Sequence, residues 1–191
     1  MNKHMARRGA VMSAIILISL CIGILVSYVW NFLDNGTHPY RYYEHVTKYA
    51  EEYGIPEELL YSVIKTESNF NRYARSRVGA IGLMQMMPKT FSWLTSSEHL
   101  GEHLPTFSLY TPAISIRYGA YYLNYLYERF GDWSTVLAAY NAGEGNVAKW
   151  LDDSEYSDDG KTLTDIPFPE TKAYVKKVDE AMKNYENIIK K

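Results

Sequence analysis

Cysteine is nearly absent from this chain: Cys21 is the only one in 191 residues. A single thiol closes no disulfide within the chain and builds no thiolate metal site, so neither device holds this fold together. Acidic residues are missing from the first 30 positions, where Lys3, Arg7 and Arg8 supply the charge. Beyond them 17 basic residues stand against 22 acidic ones, a net of −5. A nucleic-acid binder needs a basic face, and this composition argues against one. No run of alternating strands is found, and no internal repeat. Gly-x-Ser-x-Gly, a Gly-Lys-Ser/Thr phosphate loop and a dinucleotide fingerprint are also missing, which removes the common hydrolase and nucleotide motifs.

What is present begins with an uncharged apolar run from Ala10 to Trp30. About 20 apolar residues suffice to cross a hydrocarbon core as a helix. Basic residues 1–9 on its N-terminal flank place that end in the cytoplasm, with Tyr28 and Trp30 at the opposite interface. A cleaved secretory signal is the alternative, with a shorter apolar core and small residues before the cut. The run ends in Val26-Ser27-Tyr28-Val29-Trp30 with no small-x-small site, which favours an uncleaved single-pass anchor over 10–30. Leu20 before Cys21, and the apolar run continuing after it, speak against lipidation there. Residues 31–39, with Asp34-Asn35-Gly36 as a turn, read as a linker.

From Tyr40 the period is helical. Tyr42, Val46, Tyr49 and Tyr53 share a face that ends at Gly54. Pro56-Glu57-Glu58 opens a second helix with the stripe Leu59, Leu60, Val63 and Ile64. Residues 71–82 read as loop, Pro88 to Leu94 as a short helix and 95–111 as a polar connection. Helices follow over Pro112–Phe130, Trp133–Asn141 and Asn146–Leu151. Residues 152–165 form an acidic loop, and Pro169 opens the last helix. The chain is therefore expected to be all-α, with residues 40–191 as one domain around a cleft. The 18 tyrosines against 6 phenylalanines suit a wet cleft for sugar rings, although half-buried helix packing accounts for most of them.

Chemistry concentrates in separate blocks. Glu67, in Glu67-Ser68-Asn69-Phe70, lies four residues after Val63 and three after Ile64, on the buried face of its helix. It also sits in the last turn, where the helix dipole disfavours a carboxylate. Burial and dipole both raise a carboxyl pKa, as a general acid requires. By spacing alone the plainer reading, a glutamate satisfied by polar neighbours, stays ahead. Gly79-Ala80-Ile81-Gly82-Leu83-Met84-Gln85 is the second block. Its glycines permit positive φ and close approach of backbone amides to a ligand, and Gln85 offers a donor and an acceptor. Met84, Met86 and Met87 read as core. In Ala138-Ala139-Tyr140-Asn141-Ala142-Gly143, Tyr140 can aim a hydroxyl at a buried carboxyl, Asn141 can bond a substrate amide, and Gly143 reads as an αL cap. In Ile166-Pro167-Phe168-Pro169-Glu170-Thr171, Glu170 fits a first helical turn whatever else it does.

Two metal-like patterns fail. His99-Leu100-Gly101-Glu102-His103 fits H-x-x-E-H, but Gly101 and Pro105 break the helix it needs. The acidic loop resembles a calcium hand only at Gly160, with Ile166 where a glutamate should stand. No metal or cofactor is called for.

Taken in order, the blocks resemble the catalytic domain of the soluble lytic transglycosylase family, a lysozyme-like fold, from about Tyr40 to Ile189. Glu67-Ser68 is similar to the family's catalytic glutamate motif and Ser76 to its cleft serine. Gly79 to Gln85 is similar to the second motif, Ala139 to Gly143 to the third, and Ile166 to Thr171 with Tyr174-Val175 to the fourth. Lys172 departs from the arginine frequent in the family, replacing a flat fork by a point charge. The resemblance implies cleavage of the β-1,4 bond between N-acetylmuramic acid and N-acetylglucosamine of peptidoglycan, leaving 1,6-anhydro ends. It implies Glu67 as acid and then base, Tyr140 as its tuner, and Ser76, Met84, Gln85, Asn141, Glu170 and Tyr174 holding the glycan. A goose-type lysozyme, in which water attacks, and a silent wall-binding or secretion-assembly module are the competing readings.

Overall fold

Prolines and glycines punctuate the helices where the sequence places them. The computed structural model describes residues 12–13, 15–26, 29 and 41–189, without the side chain of Ile188. Chain contacts divide into two units, Met1–Pro39 and Tyr40–Lys191. In the first, residues 12–13, 15–26 and 29 are helical and exposed. Among the described residues no helix is long and apolar enough to cross a membrane. The rest of the expected 10–30 span, the basic segment 1–9 and the linker 31–39 lie outside the described residues.

The second unit is all-α. Helices α1 (Tyr43–Tyr53), α2 (Glu57–Ser68), α3 (Pro88–Leu94), α4 (Pro112–Phe130), α5 (Trp133–Ala142), α6 (Glu144–Leu151) and α7 (Pro169–Ile189) follow one another. Proline opens α3, α4 and α7, where its missing N–H costs no helical bond. Asp132 caps α5, its carboxylate accepting the Thr135 N–H at 2.8 Å, a contact worth about 1 kcal/mol. Gly54 and Gly131 end α1 and α4 in the left-handed conformation.

The main core forms where α2 packs most extensively, against α7. Leu59, Leu60, Val63 and Ile64 of α2 meet Val175 and Val178 of α7, with Val136 to Ala139 of α5 beside them. Each fully buried aliphatic side chain contributes about 2 kcal/mol. A smaller cluster joins Ile81, Met86, Phe91, Leu94, Leu109 and Tyr118. Glu102 ties this region down: Arg117 donates to it at 2.6 Å and the Tyr118 hydroxyl at 2.8 Å.

Some local details differ from expectation. The 95–111 connection contains a 3₁₀ turn, Thr106–Tyr110, which buries Leu109. It is too short to show a period. Helix α6 begins at Glu144 and not at Asn146, its acid in the first turn matching the dipole. Gly143 is no αL cap: at φ 89° and ψ 138° it kinks the chain between α5 and α6. The 71–86 loop carries isolated bridges pairing Ile81 with Arg75 and with Met86.

Candidate active site

Helix α2 ends at Ser68, and the chain turns through Asn69 and Phe70, both with positive φ (49° and 62°). Two consecutive non-glycine residues in that region are costly and persist only where surroundings hold them. Ser68 is one such hold, its hydroxyl donating to the Leu83 carbonyl at 2.8 Å. The glycine block is thereby fastened to the turn that carries Glu67.

Glu67 is half-buried. Burial pushes its carboxyl up to about 7, against a weaker opposing pull from the Tyr174 hydroxyl. Two tyrosines close around it. Tyr174 and Tyr140 are both pushed well above 10, first by burial and then by the Glu67 charge. Both therefore keep their protons at neutral pH. The Tyr140 hydroxyl donates to the Met84 carbonyl at 2.8 Å, so the expected direct bond to Glu67 is not made. Tyr140 acts on Glu67 through space and lines the neighbouring cavity, of which Glu67 itself is not a lining residue. The Tyr174 hydroxyl is buried beside Glu67 and, apart from that neighbour, completes no well-formed hydrogen bond.

A cavity of about 240 Å³ is lined by Gln85, Met86, Met87 and Thr90 on one side. Tyr122, Tyr140 and Asn141, with Ala142 and Gly143, line the other. Gln85 has a strained φ of 44°, and its amide nitrogen donates to the carbonyls of Ala74 (3.2 Å) and Gly82 (3.0 Å). Its donors are thus spent on holding the loop, and its side-chain oxygen remains to accept. Asn141 is the converse: its oxygen accepts from Thr171 at 2.8 Å, and its NH₂ is left to donate.

Other expected residues fall differently. Met84 is fully buried against Gly119, so its side chain cannot touch a ligand; Met87, 40% exposed, takes the cavity position. The reason is register: Met87 precedes the first turn of α3, whereas Met84 points into the core. Ser76 closes its own loop, accepting the Ala80 N–H at 2.9 Å, and does not line the cavity. Glu170 is exposed on the first turn of α7, also outside the lining. Gly82 serves packing and not ligand approach, since a Cβ there would lie 2.2 Å from the Leu109 carbonyl. Thr90 and Tyr122 escaped the sequence reading; the period of α4 marks Tyr122 only as half-buried.

His99, Glu102 and His103 do not converge. His99 contacts the Tyr121 hydroxyl at 3.1 Å and His103 the Ser97 hydroxyl at 3.2 Å, while Glu102 is held by Arg117 and Tyr118. Among the described residues no cluster of metal-ligating side chains exists. Lys172 pairs with Asp165 on the surface, a contact of small energetic weight.

Residues 44–163 match the family described as Transglycosylase SLT domain. The chain belongs to this family. The soluble lytic murein transglycosylase of Escherichia coli K12 is 34% identical over 152 residues, covering 78% of this chain and 23% of that one. The membrane-bound lytic murein transglycosylase C of Edwardsiella ictaluri is 31% identical over 198 residues, 86% of this chain and 51% of its own length. An inactive glutamate-to-glutamine mutant of the lytic transglycosylase Slt from Pseudomonas aeruginosa superposes with a TM-score of 0.69 at 34% identity, over 80% of this chain and 25% of that one. The 70-kDa soluble lytic transglycosylase in complex with bulgecin A gives 0.70 at 31% identity, over 79% and 25%. The chain thus spans about a quarter to a half of the length of these SLT-domain relatives, and shares their all-α, lysozyme-like fold.

Proposed function

We propose that this SLT-domain chain is a peptidoglycan lytic transglycosylase cleaving the β-1,4 bond between N-acetylmuramic acid and N-acetylglucosamine. The observation that carries the reading is Glu67: a half-buried carboxyl pushed up to about 7, beside two tyrosines that stay protonated. Such a group gives up and takes back a proton with little driving force lost in either direction. Glu67 donates its proton to the glycosidic oxygen as the C1–O bond breaks, and the muramoyl C1 becomes oxocarbenium-like. Ionised Glu67 then removes the proton of the muramoyl 6-hydroxyl, whose oxygen bonds to C1. The proton returns to Glu67, and the products are a free N-acetylglucosamine end and a 1,6-anhydro end. The Tyr174 hydroxyl steadies the ionised intermediate. The Gln85 oxygen and the Asn141 NH₂ hold the glycan, with Ser76 and Glu170 as outer contacts. The lytic transglycosylases among its relatives, and the inactivity of the Pseudomonas glutamate-to-glutamine mutant, support this assignment.

Residues 10–30 are assigned to a membrane anchor with 1–9 cytoplasmic, 31–39 as linker and 40–191 as the catalytic domain outside. Support comes from the apolar run, its basic flank and the membrane-bound relatives. Purified wild-type and Glu67→Gln proteins incubated with peptidoglycan, with products read by mass spectrometry, test the chemistry. Anhydro ends from wild type and a loss of about 10³-fold or more in the variant are expected. Reducing ends would mean a lysozyme, and no cleavage by wild type would mean a binding module.

A further inference from the structure

The glycine block ends in two peptide groups whose polar atoms are all engaged. In the first, between Leu83 and Met84, the carbonyl accepts from the Ser68 hydroxyl at 2.8 Å, and the N–H donates to the Ser115 hydroxyl oxygen at 3.3 Å. In the second, between Met84 and Gln85, the carbonyl accepts from the Tyr140 hydroxyl at 2.8 Å, and the N–H donates to the Gly82 carbonyl at 3.2 Å. Hydroxyls from α2, α4 and α5 therefore grip two consecutive peptides of one turn.

Ser115 and Gly119 stand one turn apart on the same face of α4, both buried. A Cβ at Gly119 would lie 2.5 Å from Met84 Cε and 2.9 Å from Met84 Cβ, so the side chain that Gly119 lacks is the space that Met84 fills. Ser115 bonds the N–H of the same residue. This face of α4 thus seats Met84 by its side chain and its backbone together. The Ser115 bond is itself buried, and its loss leaves an N–H unpaired away from water, which is the costly way to lose a hydrogen bond.

The seat fixes the residue that follows. Gln85 lines the cavity beside Tyr140 and has a φ of 44°, a conformation that a side chain keeps only where its surroundings impose it. With the Met84 peptides held at both ends, Gln85 cannot relax by turning them. We infer that Ser115 is a positioning residue for substrate binding: buried away from any glycan, it holds Met84 and through it keeps Gln85 turned to the cavity with its side-chain oxygen free to accept. The inference rests on the transglycosylase reading, in which Gln85 holds the glycan, and it moves Met84 from ligand contact to anchorage.

The test is a double-mutant cycle in KM on glycan strands, scoring anhydro ends. Gln85→Ala should raise KM about tenfold and Ser115→Ala about fivefold, with kcat within about twofold of wild type. The Ser115→Ala/Gln85→Ala pair should raise KM about tenfold and not about fiftyfold, because one change removes the group that the other displaces. Ser62→Ala is the control: Ser62 is equally buried, and its hydroxyl donates to the Glu58 carbonyl within α2 at 2.6 Å. Its loss should leave KM unchanged. Multiplying effects in the pair, a wild-type KM in Ser115→Ala, or an equal rise in Ser62→Ala overturns the inference. Absence of anhydro ends from wild type overturns the transglycosylase reading itself.

Discussion

Glu67 has an energetic consequence that is independent of catalysis. Its carboxyl moves from 4.5 to about 7 on folding because burial penalises the charged form. The folded state therefore binds the proton more tightly than the unfolded state. Stability is whole below about pH 4.5 and is lost as pH rises through about 7, by about 3 kcal/mol in all. The neutral amide introduced by Glu67→Gln escapes this loss. That variant is expected to melt within about 2 °C of wild type at pH 4 and roughly 6–10 °C higher at pH 8. Calorimetry at the two pH values measures it; equal melting points at pH 8 would mean that the carboxyl is not buried as described. Activity in the wild type should decline above about pH 7 as the acid is lost, a limb that reports the same group.

The order of the elements was legible because proline starts and glycine stops are local signals. The active elements of the site were legible less evenly. Glu67 could be put on the buried face of α2 by counting, since Val63 and Ile64 fix the register. Which methionine faces the cavity could not, because the turn between Gln85 and Pro88 has no repeat to count along; Met84 and Met87 exchange roles there. Gly82 makes the same point. Its need for glycine comes from Leu109, in a 3₁₀ turn that no period announces, and from Ser115 of α4, both distant in sequence. A Cβ at 2.2 Å from the Leu109 carbonyl, at φ +81°, forces the connection away from the glycine block. Gly82→Ala is expected to cost about 3 kcal/mol, with a fall of roughly 6–12 °C in Tm. Gly79→Ala, whose Cβ meets nothing within 4 Å, retains only the backbone strain and should cost about 1–2 kcal/mol. Equal losses in the two variants would remove the Leu109 contact as the cause.

At the scale of the whole chain, the proposed hydrophobic anchor and the charge of the rest act in different directions. Residues beyond 30 carry a net of −5, a charge of the wrong sign for recruitment by an anionic membrane surface. Any stable attachment then depends on the apolar run, and burial of apolar surface is insensitive to salt whereas surface charge attraction is screened within about 10 Å at 0.1 M. The full chain should remain with membranes through a wash at about 1 M salt and leave them only in detergent. Residues 40–191 correspond to one contact unit with its own core. Expressed alone, they should stay in the soluble fraction, melt within about 2 °C of the full chain and form anhydro ends on isolated glycan strands at the same rate. On whole sacculi held away from the membrane the soluble fragment should act as fast or faster, since tethering confines the site to glycan within the reach of a short linker. Release of the full chain by salt, or recovery from cells of a mature chain shortened near residue 30, would replace the anchor by a peripheral or secreted enzyme while leaving the chemistry at Glu67 as it stands.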